Sequence, residues 1–402
     1  MSKSGLSNGR IKRLHHAAER AVETGEVAGA ITMIHRHGET VIDVVGKMDK
    51  DKPGKLERDS IFRIASMSKP ITAAAAMILV EEGKLRLDEP VDRLLPELAN
   101  RQVLKDLRGP LDDTTPANRA ITLRDLLTFR MGMGMVMGPP GEPSPIQKAM
   151  ADREVMGLNP PPPHEPDAWI KQLGALPLMH QPGEKWMYHT GSDVLGVLIA
   201  RAAGMGFEAF LKERIFEPLG MKDTGFHVPR KHMDRLTSCY TVNPETGQLE
   251  LSDAPASSNW ASPPAFPAGG GGMVSTVDDY LAFGQMMLND GKLGKERILA
   301  RPTVQAMTTD QMTPEQKAAS PFFPGFWDNR GWGFGVSMIT RRDATASVPG
   351  RFGWNGAFGT GWTSDPAEDM VCILMVQRMG FGPSQAGLSA DFWTLAYQAI
   401  DD

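Results

Sequence analysis

The chain has 402 residues, of which 41% are hydrophobic and 23% charged, with a formal net charge of −5. This is the composition of an ordinary globular protein, with room for two domains or for one large domain carrying an insertion. No basic stripe marks a nucleic-acid partner, no apolar run approaches the ~18 residues of a membrane span, and Cys239 and Cys372 lie too far apart for a zinc cluster or a disulfide framework.

The N-terminal "MSKSGLSNGRIKRLHHAAERAVETGEVAG" has no apolar stretch of secretory-signal length, so the expected location is the cytoplasm. Within it Ile11, Leu14, Ala18, Ala21 and Val22 share one helical face, which Gly25 ends. "AGAITMIHRHGETVIDVVG" reads as a hairpin turning at His37-Gly38. His35 and His37 alternate along it and are expected as solvent-facing residues rather than metal ligands. "SIFRIA" is a short strand, and from Lys69 the pattern is helical up to Gly83. Residues 85–268 read as short amphipathic helices and loops, broken by "GPPGEPSP" and "LNPPPPHEP". After Gly269-Gly270-Gly271-Gly272, Ser275 or Thr276 caps a helix that Gly291 closes. "WGFGVSMIT", "AFGTGWTSD" and "DMVCILMVQ" read as strands, with Cys372 as a core thiol, and "SADFWTLAYQAI" as a terminal helix. Strand-rich ends around a helical middle predict an α/β (α+β) fold. Residues 1–84 and 269–402 would form an antiparallel sheet flanked by the N- and C-terminal helices. Residues 85–268 would be an inserted, mostly helical domain, with the active site between the two.

Chemistry gathers at "IFRIASMSKPITAAAA". A serine hydroxyl is a weak nucleophile until a base takes its proton. Residues three apart on a helix share a face, so Lys69 would stand beside Ser66. The helix N-terminus adds free N–H groups and a partial positive charge that favour an oxyanion, and Pro70 suits a first turn. A buried, neutral lysine can accept the proton. Read alone, Ser66 could equally be a helix cap and Lys69 a solvated side chain.

Two further stretches supply partners. In "PGEKWMYHTGSDVLG", Tyr188, one of four tyrosines, lies in a loop just before a helix, where a nearby ammonium would help it act as a base. His189 follows it and would line the site. In "GWNGAFGTGWTSDP", the glycine-rich edge at Trp354-Asn355-Gly356-Ala357 lets a substrate approach the backbone and offers an N–H to an oxyanion. The run "RMGMGMVMG" holds four of the 25 methionines, suited to a malleable acyl pocket or to core filling.

In this order and spacing the three stretches resemble the serine β-lactamase-like superfamily, which includes class C β-lactamases, DD-peptidases and family-eight carboxylesterases. The resemblance also takes in "GKLRLDEPVDRLLPEL", "ITLRDLLTF", "IFEPLGMKDTGF" and "GGGGMVSTVDDYLAFGQMML", nearly the whole chain. It implies Ser66 as nucleophile, Lys69 and Tyr188 as base, and oxyanion N–H groups from Ser66 and Ala357, with no metal and no cofactor. The family's Y-x-N reads Tyr188-His189-Thr190 here, without the asparagine. Its K-T-G reads Trp354-Asn355-Gly356, without the lysine that helps bind a carboxylate. Tryptophan there looks like the esterase branch and favours neutral groups. Arg130, in "LLTFRMG", is the first candidate cation should the site take a carboxylate after all. The expectation is a serine carboxylesterase acting on small-molecule, short-chain esters through an acyl-enzyme, with weak β-lactam hydrolysis. No nucleic-acid or membrane partner is expected. An amidase or β-lactamase, an acyltransferase, or a non-catalytic binding protein of the same fold are the alternatives. The absence of H-E-x-x-H argues against zinc chemistry.

Overall fold

The computed structural model describes residues 3–136, 142–380 and 387–402. Its main sheet has seven strands, all paired antiparallel, in the order Arg330–Trp332, Ser337–Ile339, Phe352–Asn355, Gly361–Asp365, Met370–Met375, Gly29–Arg36 and Glu39–Gly46. The two ends of the chain thus meet where Gly29–Arg36 pairs with Met370–Met375. The hairpin turns where expected, with His37 at φ 51° and Gly38 at φ 77°. Positive φ at both turn residues matches the right-handed twist of the strands.

The first helix, Asn8–Glu23, and the last, Leu388–Gln398, pack on one face of the sheet around Ala18, Ile34, Cys372 and Phe392. The other face packs on Ser68–Glu81 and Val277–Leu288 through Ile31, Met33, Trp362 and Ile373. Met370–Met375, buried at every position, serves both cores, which is why "MVCILM" is apolar without alternation. Ser68–Glu81 is apolar on all sides because it runs through the middle of the molecule, and all but its last residues are buried. Thr276, not Ser275, caps the helix after the glycine run by accepting from the Asp279 N–H.

Some expectations need correction. "WGFGVSMIT" is a hairpin rather than one strand, since Gly335 at φ 74° turns the chain between Arg330–Trp332 and Ser337–Ile339. "SIFRIA" contributes only Phe62–Arg63, paired outside the main sheet with Val274–Ser275. The middle of the chain also carries two small ladders, Gln102–Leu104 with Thr114–Pro116 and Cys239–Val242 with Leu249–Asp253. His37 sits in the turn against Asp369, while His35 is held between Thr40 and Gln285. Part of "GPPGEPSP" lies outside the described residues. Both cysteines are buried and free. No single helix among the described residues is long and apolar enough to cross a membrane.

Candidate active site

Ser66 sits in a single turn of 3-10 helix, Ala65–Met67, that feeds directly into Ser68–Glu81. The turn is held on all sides. Before it, the fully buried Arg63 forms an ion pair with Asp253 and donates to the Thr237 carbonyl, to Gln377 and to Ser258. Ile64 N–H donates to the Met273 carbonyl at 3.0 Å, and Tyr280 donates to the Met67 carbonyl at 2.8 Å. Ala65 adopts φ 44°, a conformation costly for a residue with a Cβ, which persists because this scaffold fixes it. Among the described residues the Ser66 N–H makes no backbone hydrogen bond. It is thus free to meet an oxyanion.

One turn on, Lys69 is fully buried. Its Nζ lies 3.0 Å from Ser66 Oγ and 3.1 Å from His189 Nδ1, and it donates to the Gly270 carbonyl. Among the described residues no carboxylate lies within ion-pairing distance. Burial therefore pulls its proton affinity down to about 7, with Asp193 opposing at longer range. Asp193 instead holds His189 Nε2 at 3.1 Å and accepts the Gly270 N–H at 2.8 Å. The sequence reading missed this carboxylate. Its signal was the spacing of four between His189 and Asp193 in "YHTGSD". It also took Gly269–Gly272 for punctuation. A Cβ on Gly270 would fall 2.9 Å from Asp193 Oδ1, so only glycine brings that carbonyl onto the lysine.

Tyr188 precedes the helix Thr190–Ala203, as expected. It is 1% exposed, seated among Phe129, Trp186, Phe322 and Trp354. Its ring lies 4.5 Å from Lys69 Nζ. Its hydroxyl bonds Ser66 and accepts the Trp354 indole N–H at 2.6 Å. Burial nevertheless drives its proton affinity upward, and the two hydrogen bonds only moderate that. His189 carries the joint between tyrosine and helix at φ 86°, ψ −65°, the geometry of a strained γ-turn, with Thr190 N–H reaching the Tyr188 carbonyl at 3.3 Å. Burial first, and then Lys69, lower the proton affinity of His189.

Trp354 and Asn355 end the strand Phe352–Asn355. A Cβ on Gly356 would collide with the Ile64 carbonyl, so glycine is what lets this edge lie against the Ser66 segment. Thr360 fixes the approach by donating to the same carbonyl at 3.3 Å. Ala357 follows, packed in one cluster with Ala65, and its N–H makes no backbone hydrogen bond among the described residues. Tyr188, Trp354, Asn355, Gly356 and Ala357 all border a cleft of about 440 Å³.

The family model described as "Beta-lactamase" matches residues 14–391. The chain belongs to the beta-lactamase family. It is 39% identical to "Protein Rv1367c" of Mycobacterium tuberculosis (strain ATCC 25618 / H37Rv) over 364 residues, covering 89% of this chain and 87% of that one. It is 29% identical to "Esterase EstB" of Burkholderia gladioli over 394 residues, covering 92% and 91%. The solved structure of "EstCE1, a hydrolase with promiscuous acyltransferase activity" superposes with a TM-score of 0.79 over 98% of both chains at 23% identity. The expected superfamily and its mixed α/β fold are borne out, and the family places the chain among serine hydrolases with esterase and acyltransferase relatives.

Away from the family's motif positions, one candidate is corrected and one open alternative is decided. Arg130 does not reach the cleft: its guanidinium bonds Thr128 at 2.9 Å and Gln316 at 2.8 Å, which leaves it holding loops together. Met131 and Met133 are core residues and Met135 packs behind Tyr188, so the methionine run forms no acyl pocket there, and Met137 lies outside the described residues. The cleft wall comes instead from "PFFPGF", through Phe322, Phe323 and Phe326. The signal in the sequence was the density of aromatics between residues 322 and 332.

Proposed function

We propose that the chain is a serine carboxylesterase working through an acyl-enzyme, its site lying between the sheet body (1–84 and 269–402) and the helical insertion (85–268). One observation carries the reading. A buried amine without a carboxylate partner, its proton affinity near 7, stands 3.0 Å from a serine hydroxyl. At neutral pH much of that amine is unprotonated and can act as base. Ser66 Oγ attacks the ester carbonyl as its proton passes to Lys69 Nζ. The N–H groups of Ser66 and Ala357 take the oxyanion. The C–O bond to the alcohol breaks as the alcohol receives a proton from the Lys69–Tyr188 pair. Water repeats the sequence on the acyl-enzyme, returning the proton to Ser66. Tyr188, with its raised proton affinity, serves as a donor of hydrogen bonds and protons, and Trp354 positions its hydroxyl. An alcohol in place of water would give acyl transfer.

The test pairs a fluorophosphonate label with initial rates on nitrophenyl esters of increasing acyl length and on a chromogenic cephalosporin. Wild type should be labelled and should cleave the esters faster than the cephalosporin. Ser66→Ala should take no label and lose several orders of magnitude in rate while staying folded. Near-normal turnover by Ser66→Ala would sink the reading.

A further inference from the structure

Lys69 is part of a closed ring of hydrogen bonds. Its Nζ donates to the Gly270 carbonyl and lies 3.1 Å from His189 Nδ1. The Gly270 N–H donates to Asp193 Oδ1 at 2.8 Å, and Asp193 Oδ2 returns to His189 Nε2 at 3.1 Å. Lys69, His189 and Asp193 are all buried. Each direction around the ring is fixed, because a carboxylate and a carbonyl only accept. Asp193 Oδ2 therefore keeps a proton on His189 Nε2. Burial, and then Lys69, lower the proton affinity of this imidazole, so the ring is neutral and its Nδ1 is a bare acceptor.

At Lys69 every proton then has a place. A neutral amine has two N–H groups and one lone pair. The Gly270 carbonyl and His189 Nδ1 take the N–H groups, which leaves the lone pair for Ser66 Oγ at 3.0 Å. The other end of the chain agrees. The Trp354 indole only donates, so Tyr188 accepts from it at 2.6 Å and turns its own O–H to Ser66. Ser66 must then offer its proton to the lysine, which is the direction that nucleophilic attack requires. The opposite tautomer of His189 would set a lone pair against Asp193. It would also aim Nδ1–H at Lys69 and occupy the lone pair that Ser66 needs. The strained backbone of His189, φ 86° and ψ −65°, carries the ring to this place.

We infer that His189 and Asp193 are positioning residues for the base: Asp193 holds the His189 tautomer whose Nδ1 accepts from Lys69, and this keeps the lysine lone pair turned to Ser66. The inference rests on the reading of the chain as a serine esterase. Asp193→Asn tests it with almost no change of shape. The Gly270 N–H requires an oxygen at the Oδ1 position, so the amide nitrogen faces His189 Nε2. Nε2 must then lose its proton in order to accept, and the proton moves to Nδ1, against Lys69. His189→Asn is the complementary probe. Its side-chain oxygen is as many bonds from Cβ as Nδ1 is, and it accepts from Lys69 without help from Asp193. Among the described residues the titratable groups that face Lys69 are Tyr188, with its ring 4.5 Å from Nζ, His189 and, behind it, Asp193, whose charge raises the proton affinity of the lysine.

The experiment joins pH-dependent rates on a short nitrophenyl ester to nitrogen-15 spectra of histidine-labelled full-length protein. The His189 signal is the one that His189→Asn removes. It should show the proton on Nε2 in wild type and on Nδ1 in Asp193→Asn. Asp193→Asn should lower kcat by about 10²- to 10⁴-fold while KM stays within about threefold. Its acid limb should also move to lower pH, because losing a negative charge and gaining a hydrogen bond into the lone pair both weaken the base. A merely loosened fold would lower the plateau without moving the limb. His189→Asn together with Asp193→Asn should regain at least about tenfold of what Asp193→Asn alone loses. A proton on Nδ1 in wild type overturns the inference, as does a near-normal kcat in Asp193→Asn or a double variant no better than the single one. Melting curves establish that each variant is folded. If Asp193→Asn is not, His189→Leu replaces it: it should lose at least about tenfold more than His189→Asn, and equal losses overturn the inference. If wild type cleaves no ester, the esterase reading fails separately, and the rate of fluorophosphonate labelling at Ser66 replaces turnover. Labelling slowed by Asp193→Asn and restored in the double variant supports the inference. Equal labelling, or none by wild type, overturns it.

Discussion

Arg63 and Lys69 are both fully buried cations, six residues apart on either side of the Ser66 turn, and they have opposite surroundings. Arg63 meets Asp253 in an ion pair and spreads its remaining N–H groups over Thr237, Gln377 and Ser258. Lys69 meets a hydroxyl, a ring nitrogen and a carbonyl, while the nearest acid, Asp193, is kept one step away behind His189. A paired guanidinium keeps its charge and binds segments together. An unpaired ammonium gives up its charge to escape the cost of burial, and becomes a base. The same degree of burial thus makes one residue a fastener and the other a reagent, and the position of one carboxylate decides which.

The contrast can be broken from either side. The largest effect should come from Lys69. Lys69→Met removes the base and should lower kcat/KM by about 10²- to 10⁴-fold. Lys69→Arg should lose as much, because a guanidinium stays protonated and accepts nothing. Steady-state rates on a short nitrophenyl ester check this, and an active Lys69→Arg enzyme would mean that the base is elsewhere. Next comes Asp253. Asp253→Ala strands the Arg63 charge and should destabilise the fold by about 3–5 kcal/mol, measured by urea unfolding. A loss under about 1 kcal/mol would show that water or Gln377 already serves that guanidinium. The third effect is a slope. The proton affinity of Lys69 is about 7 in the fold against about 10.4 in the unfolded chain. The unfolded state therefore binds the extra proton between those values, and stability rises with pH across that window. Wild-type urea midpoints should climb relative to those of Lys69→Met from about pH 7 toward pH 10. A constant gap between the two proteins would contradict a neutralised lysine.

The reactive side of this contrast was legible and the fastening side was not. Ser66, Lys69 and Tyr188 stand in local patterns of residue type, spacing and helix start, and such patterns survive being read in one dimension. Thr276 as a cap and the turn at His37-Gly38 are local in the same way. Arg63 with Asp253, and Gly270 with Lys69, are meetings of segments some two hundred positions apart, and no short window contains them. Arg130 illustrates the converse. It sat near the right motif, yet its loop carries its side chain to Thr128 and Gln316. Arg330, which does border the cleft, comes from the edge strand Arg330–Trp332, where alternation is too short to show which side a residue faces. The hairpin inside "WGFGVSMIT" was hidden for that reason as well.

The two-residue ladder of Phe62–Arg63 with Val274–Ser275 is small, but it acts as a ruler. Ser66 follows one rail by three residues, and Gly270 precedes the other by four. The distance between nucleophile turn and lysine acceptor is therefore set by counting along the backbone, not by side-chain packing. Side chains around the site can vary so long as that count holds. A single residue added between Gly270 and Val274 would displace the acceptor by about 3.3 Å, a full hydrogen-bond length. Insertions and deletions between Gly270 and Val274 should therefore harm the site more than substitutions of the side chains around it.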